Sequence, residues 1–157
     1  MSNAKLFDEQ EQVNTIKDQY LTFTIDNEDY GVEVAYVKEI IKMKAITKVP
    51  EMPSYIEGII NLRGDLIGVL DVRKRFGMVA KEYDVETCII VIVYNAYTLG
   101  LIVDAVQETI NIPPSLIAPP PSAKLNFSNQ FVRNIGKISD KDVKLLLDVE
   151  KFLLQDL

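Results

Sequence analysis

Gly58-Ile59-Ile60-Asn61-Leu62-Arg63-Gly64-Asp65-Leu66-Ile67-Gly68-Val69-Leu70-Asp71 reads as two apolar runs bent around Asn61-Leu62-Arg63-Gly64. Ile59, Ile60, Leu66, Ile67, Val69 and Leu70 are β-branched or large aliphatic residues, which suits strands buried on at least one face. Between the runs stands Arg63, a permanent cation with a rigid five-donor fork. Gly64 after it takes the positive φ that a tight turn needs. A cation held at the rim of a rigid sheet is suited to gripping a partner. An ordinary hairpin with an arginine beside its turn reads the same way, and this segment alone leaves both open.

Working outward, Tyr20 to Ile25 alternates apolar and polar residues in the period of a half-buried strand. Asp26-Asn27-Glu28-Asp29 is a turn, and Tyr30-Gly31-Val32-Glu33-Val34 resumes the strand period, which predicts a hairpin. Val49-Pro50 to Pro53-Ser54 marks a break before the Arg63 hairpin. Asp71 to Gly77 reads as a short helix with Asp71 at its start and Gly77 at its end. The second half repeats the plan, with a strand over Cys88–Tyr94, a turn at Asn95-Ala96-Tyr97 and a return strand over Leu99–Val103. Aligning Gly31 with Gly100 also matches Val34 with Val103, Val37 with Val106 and Glu39 with Glu108. Further on, Leu70-Asp71-Val72 followed by Lys74 matches Leu147-Asp148-Val149 followed by Lys151, the extra length falling in the proline-rich stretch 112–122. Two similar all-β units follow. Short, turn-bounded strands point to small closed or partly closed barrels, which remove exposed sheet edges. Val143–Leu147 reads as a final strand running into a helix that begins at Glu150.

The chain has 157 residues, 48% of them hydrophobic, and a net charge of -6. A chain of this size buries roughly two thirds of its surface on folding, so a real core is available. The acidic balance argues against nucleic acid as a partner, because phosphate binding needs clustered Lys and Arg, and only Arg73-Lys74-Arg75 clusters. Cys88 is the one cysteine, so no intrachain disulfide forms, which suits a reducing cytosol. Among branched aliphatics it reads as a small buried hydrophobe. No secretory signal is expected, and no apolar run approaches the ~20 residues of a membrane helix. Histidine is absent, which removes the commonest general base and the commonest metal ligand. No phosphate-binding glycine loop occurs. A carboxylate pair stays open, but Asp and Glu sit mainly in turns and on polar faces. The reading is a non-enzyme with no cofactor and no metal.

Tyr30-Gly31, Val37-Lys38-Glu39-Ile40, Pro53, Ile56, Gly58, Asn61-Leu62-Arg63-Gly64 and Leu70-Asp71-Val72-Arg73 together resemble the chemotaxis coupling protein family, CheW. The likeness runs from about Tyr20 to Leu154, and the segment leading into Ile117-Ala118-Pro119-Pro120 is similar too. It implies an all-β fold of two five-stranded SH3-like barrels with short connecting helices and a C-terminal helix. The expected layout is a flexible arm over residues 1–18, then a CheW-like domain over 19–157. Its barrels would cover about 30–85 and 86–150, the first strand and the terminal helix crossing between them. The resemblance also implies a cytoplasmic adaptor, monomeric when free, that bridges the cytoplasmic tips of chemoreceptors to the regulatory domain of the histidine kinase CheA. The receptor hairpin would lie in the groove between barrels, and kinase contacts would run barrel edge to barrel edge.

For the receptor, Val37, Ile40 and Ile41 are candidate groove lining, although each also reads as core. Arg63 and Glu39 are the candidate polar anchors, paired with each other or contacting a partner separately. Gly58, Gly64 and Val106 are the candidate kinase contacts, Gly58 reading equally well as a strand bend. Asp65 departs from the family, which more often has an apolar or neutral residue there; it stands close enough to compete with Glu39 for Arg63 or to tune receptor choice. Two other readings stay open: a CheW-like module of another receptor-kinase array, and a small β-barrel that binds a ligand.

Overall fold

Two-residue loops fold the apolar runs back on themselves. The computed structural model describes residues 16–121 and 130–154, and the expected arm therefore lies almost wholly outside the described residues. The described strands are β1 (Gln19–Ile25), β2 (Glu28–Glu33), β3 (Val37–Lys42), β4 (Ile56–Leu62), β5 (Asp65–Asp71) and β6 (Cys88–Tyr94). They continue as β7 (Tyr97–Val103), β8 (Ala105–Asn111), β9 (Ile117–Ala118), β10 (Val132–Lys137) and β11 (Val143–Leu147). Helix α1 (Val72–Arg75) follows β5 and α2 (Val149–Leu154) follows β11. In the loops Asp26-Asn27, Arg63-Gly64 and Asn95-Ala96, φ is 51° and 65°, 52° and 91°, and 47° and 68°. Positive φ at both loop residues marks the hairpin turn whose twist matches that of the flanking strands.

The strands form a five-stranded sheet, ordered β3-β6-β7-β5-β4, and a six-stranded one, ordered β8-β1-β2-β11-β10-β9. The repeat read in the sequence maps one order onto the other: β1, β2, β3, β4 and β5 correspond to β6, β7, β8, β10 and β11, with β9 extra. The match reaches single residues. Gly31 lies opposite Leu146 and Gly100 opposite Val69. Asp71 accepts from the Lys74 amide at 3.3 Å, and Asp148 from the Lys151 amide at 3.1 Å. The Asp71 amide donates to the Tyr55 carbonyl at 2.8 Å, and the Asp148 amide to that of Phe131 at 2.7 Å.

A repeat is nevertheless not a sheet. Each sheet joins the first hairpin of one repeat to the remaining strands of the other. The expected division into 30–85 and 86–150 therefore does not follow the sheets: β2 belongs to the six-stranded sheet, while β6 and β7 lie in the middle of the five-stranded one. The reason is burial on both faces. Ile89 and Val91 point to one apolar cluster and Ile90 and Ile92 to another, all fully buried, and a strand apolar on both faces needs neighbours on both edges.

Three clusters make the core. The largest fills the seam between the sheets, with Leu21, Phe23, Ile25, Tyr30, Val32, Leu70, Val72, Ile90, Ile92 and Leu101 among its members. A run of rings crosses it: Phe23 stacks on Tyr30 at 5.7 Å, Tyr30 meets Phe76 at 5.2 Å, and Phe76, Phe131 and Phe152 pack mutually at 5.5–6.1 Å. The second cluster, Ile60, Leu62, Ile67, Val69, Ile89, Val91 and Ile102, lies on the other face of the five-stranded sheet. The third, Tyr20, Ile112 and Leu146, belongs to the six-stranded sheet.

Candidate functional site

The β4–β5 hairpin is the segment whose sequence stood out first. Leu62 opposes Asp65, which leaves Arg63 and Gly64 as the whole loop. An arginine at φ 52° carries backbone strain of about 1–2 kcal/mol. Asn61 Oδ1 accepts a 2.8 Å hydrogen bond from the Gly64 amide, fixing the loop from the strand before it. Arg63 then reaches across to β3. Its Nη1 donates to Glu39 Oε2 at 2.7 Å and its Nη2 to Oε1 at 2.6 Å, a two-pronged pair with good geometry. That hydrogen bond holds the Glu39 carboxyl below its ordinary range against the opposing effect of burial, with the charges of Arg63 and Lys38 adding to it.

The pair spans the two edges of the five-stranded sheet, β3 and the end of β4. Two further links do the same. Lys44 Nζ donates to the Asn61 carbonyl, and Thr47 and Ile59 exchange two backbone hydrogen bonds of 2.9 Å. These links tie β3 and the segment that follows it to β4 and its turn. The Arg63 side chain remains 69% exposed on this rim, whereas Glu39 is 20% exposed. One ion goes to solvent and the other is a socket.

The other residues expected at the site separate into two faces. Ile40 opposes Ile90 and Val37 opposes Ile92, both seam residues, and a bulge falls between Val37 and Glu39. Ile40 is 45% exposed on this seam side, as a groove-lining residue requires, whereas Val37 is half-buried against the seam core. Ile41 is half-buried and packs against the second cluster, on the other face of the sheet. Gly58 is buried, with φ 147°, and a Cβ there would sit 2.1 Å from the Thr47 carbonyl oxygen. The close approach at Gly58 is thus to Thr47 of its own chain. Gly64 is exposed at the hairpin tip, with nothing within 4 Å of where a Cβ would be. Val106 is half-buried on the edge strand β8 of the other sheet. The three expected kinase contacts thus occupy three separate places.

Two features escaped the sequence reading. Leu66, expected in a buried strand, is 70% exposed; with Tyr97, 65% exposed, it lines an open groove of about 460 Å³ beside Arg63, Lys38 and Asp65. The basic run 73–75 does not form a patch. Arg73 Nε and Nη2 donate to Asp104 at 2.8–3.0 Å, and Nη2 reaches Asp26 at 3.3 Å. Lys74 pairs with Glu57 at 2.5 Å, and Arg75 is 2% exposed. Among the described residues, no cluster of three metal-ligating side chains occurs. Burial pushes the half-buried Cys88 thiol up, away from a reactive thiolate.

Asp104 gives a pH prediction. Burial pushes its carboxyl up, but the Arg73 hydrogen bond, the Asp26 amide and the charges of Arg73 and Lys81 together hold it below the ordinary range. A folded value below the unfolded ~3.9 stabilises at every pH above 3.9 and fades as the pH falls through the folded value. Wild type is expected to exceed Asp104→Asn by about 1–2 kcal/mol in urea unfolding at pH 7. The gap should close below about pH 4; a gap that stays constant down to pH 2.5 would show that the charge of Asp104 is not what stabilises.

The model of the CheW-like domain matches residues 19–156. The chain belongs to the CheW-like family. This CheW-like chain is 33% identical over 138 residues to the chemotaxis protein CheW of Helicobacter pylori, covering 88% of its own length and 82% of the relative's. It is 29% identical over 139 residues to the chemotaxis protein CheW of Klebsiella aerogenes, covering 88% and 83%. The crystal structure of the scaffolding protein TtCheW from Thermoanaerobacter tengcongensis superposes with a TM-score of 0.77 at 36% identity, over 86% of this chain and 91% of that one.

Proposed function

We propose that this CheW-like chain is a non-catalytic adaptor that couples the cytoplasmic tips of chemoreceptors to the histidine kinase CheA. The observation that carries the reading is the exposed Arg63 guanidinium at the β4–β5 turn, locked by Glu39 of β3. A preset cation loses little freedom on binding, so it adds affinity and register without any chemistry. Ile40, open on the seam side, supplies apolar contact for a helical tip, and half-buried Val37 borders it. Val106 on β8 and Gly64 at the hairpin tip are the kinase contacts in this reading. Asp65, exposed beside Arg63 while Glu39 holds both guanidinium prongs, tunes receptor choice rather than the pair. In this reading the chain is cytoplasmic, monomeric when free and drawn to the membrane by its receptors; no helix among the described residues is long and apolar enough to cross a membrane.

The test is calorimetric titration of a purified chemoreceptor cytoplasmic fragment, and separately of the CheA regulatory domain, into wild type and Arg63→Ala. Receptor affinity is expected to fall on the order of tenfold or more. Kinase-domain affinity should change less than about twofold, and Tm less than about 4 °C, because exposed pairs stabilise folds weakly. Receptor affinity equal to wild type in the folded variant would refute the anchor.

A further inference from the structure

The Arg63 turn needs help that its own residues do not give. Asp, Asn or Gly occupies at least one position in each of the three tight loops, and short polar side chains tolerate a left-handed backbone. Arginine has no such local bond to offer, yet Arg63 is the residue that must point its guanidinium at Glu39. We propose that Asn61 is the positioning residue that holds Arg63 left-handed and so aims it, with Lys44 bracing Asn61. The contacts are on two sides of one residue: the Asn61 side chain accepts from the Gly64 amide at 2.8 Å, and its carbonyl accepts from Lys44 Nζ. Asn61 is exposed, so its amide is not there to fill a core.

The second repeat supplies a contrast. Its equivalent hairpin, β10–β11, is closed by the Ile138 amide donating to the Asp142 carbonyl at 2.9 Å, which makes a longer loop. There Ser139 Oγ braces from within the loop, accepting from the amides of Lys141 and Asp142 at 3.3 and 3.1 Å. Glu108, the counterpart of Glu39, is exposed on β8. Two halves that agree down to single registers differ at the Asn61 brace and at the arginine it presents, and they differ at both together.

The consequence for receptors rests on the proposed adaptor reading, but the geometry is testable without a receptor. In NMR titrations, the Glu39 carboxyl is expected to titrate below its ordinary range in wild type and to return to that range in Arg63→Ala. Asn61→Ala should move its midpoint most of the way to the Arg63→Ala value. Asn61→Asp, which keeps an acceptor for the Gly64 amide, should keep the Arg63 side-chain resonances of wild type. A wild-type Glu39 midpoint in folded Asn61→Ala overturns the assignment. Should that variant not fold, Asn61→Val carries the same test, since a strand-forming side chain without an acceptor cannot hold the Gly64 amide, and an unchanged midpoint is equally fatal. Affinity of Asn61→Ala for the chemoreceptor fragment should fall on the order of threefold or more. If Arg63→Ala binds that fragment as wild type does, the receptor reading fails while the titration still decides this one.

Discussion

Gly58→Ala is expected to leave the chain largely unfolded at 37 °C. The new Cβ would lie 2.1 Å from the carbonyl oxygen of Thr47 and 2.8 Å from its carbonyl carbon, and neither is the end of a flexible side chain. Relief requires Thr47 to withdraw, which breaks its two 2.9 Å hydrogen bonds to Ile59. Each polar group left unpaired costs about 1–3 kcal/mol. A φ of 147° adds strain of about 1–3 kcal/mol for any residue with a side chain. For the two hydrogen bonds and the strain the sum is roughly 3–9 kcal/mol, a large part of the ordinary 5–15 kcal/mol stability of a domain. Gly64→Ala is the control. It too has positive φ, at 91°, but nothing lies within 4 Å, so only strain of about 1–2 kcal/mol applies. Urea unfolding followed by circular dichroism should separate the two by at least about 2 kcal/mol. Equal midpoints would mean that the Thr47 bridge is dispensable to the sheet.

What could be read in advance follows from where each strand sits. Strands β1, β5 and β6 announce themselves because their apolar residues are central and buried, and the loops announce themselves through Asp, Asn and Gly at positive φ. The edge strands are quieter. Val37–Lys42 and Ala105–Asn111 carry charged and polar residues on the exposed sides that protect a sheet edge, so their alternation looks like loop sequence. Val132–Lys137 has a glycine and three polar residues in six, and its strand character comes from pairing with β11. The repeat was legible because turn glycines and helix caps recur at fixed offsets. That the hairpins change partners was not, since pairing as distant as Tyr30 with Leu145 leaves no mark in either local pattern. The Glu39–Arg63 pair lay between these cases: the residue types suggested it, and only the fold brings residues 24 apart within 2.7 Å.

Arg75 carries the second large effect. It stands at the position equivalent to Phe152 in the other repeat, so the seam joins a charged side chain to an aromatic one where the halves meet. Its guanidinium carbon lies 4.4 Å over the Tyr55 ring, 4.7 Å over Phe131 and 5.9 Å over Phe152, and Nε donates to the Phe152 carbonyl at 3.0 Å. Arg75→Ala is expected to cost about 3–5 kcal/mol, since it opens a cavity among three aromatic rings and strips a buried carbonyl of its donor. Arg75→Met keeps most of the volume, and a thioether is also favourable against ring edges. Removing a buried charge refunds its desolvation, so this variant should cost less than about half as much. Both are measured by urea unfolding at pH 7. If methionine proves as damaging as alanine, the charge itself holds the seam, through the ring faces and the Phe152 carbonyl, and packing is secondary.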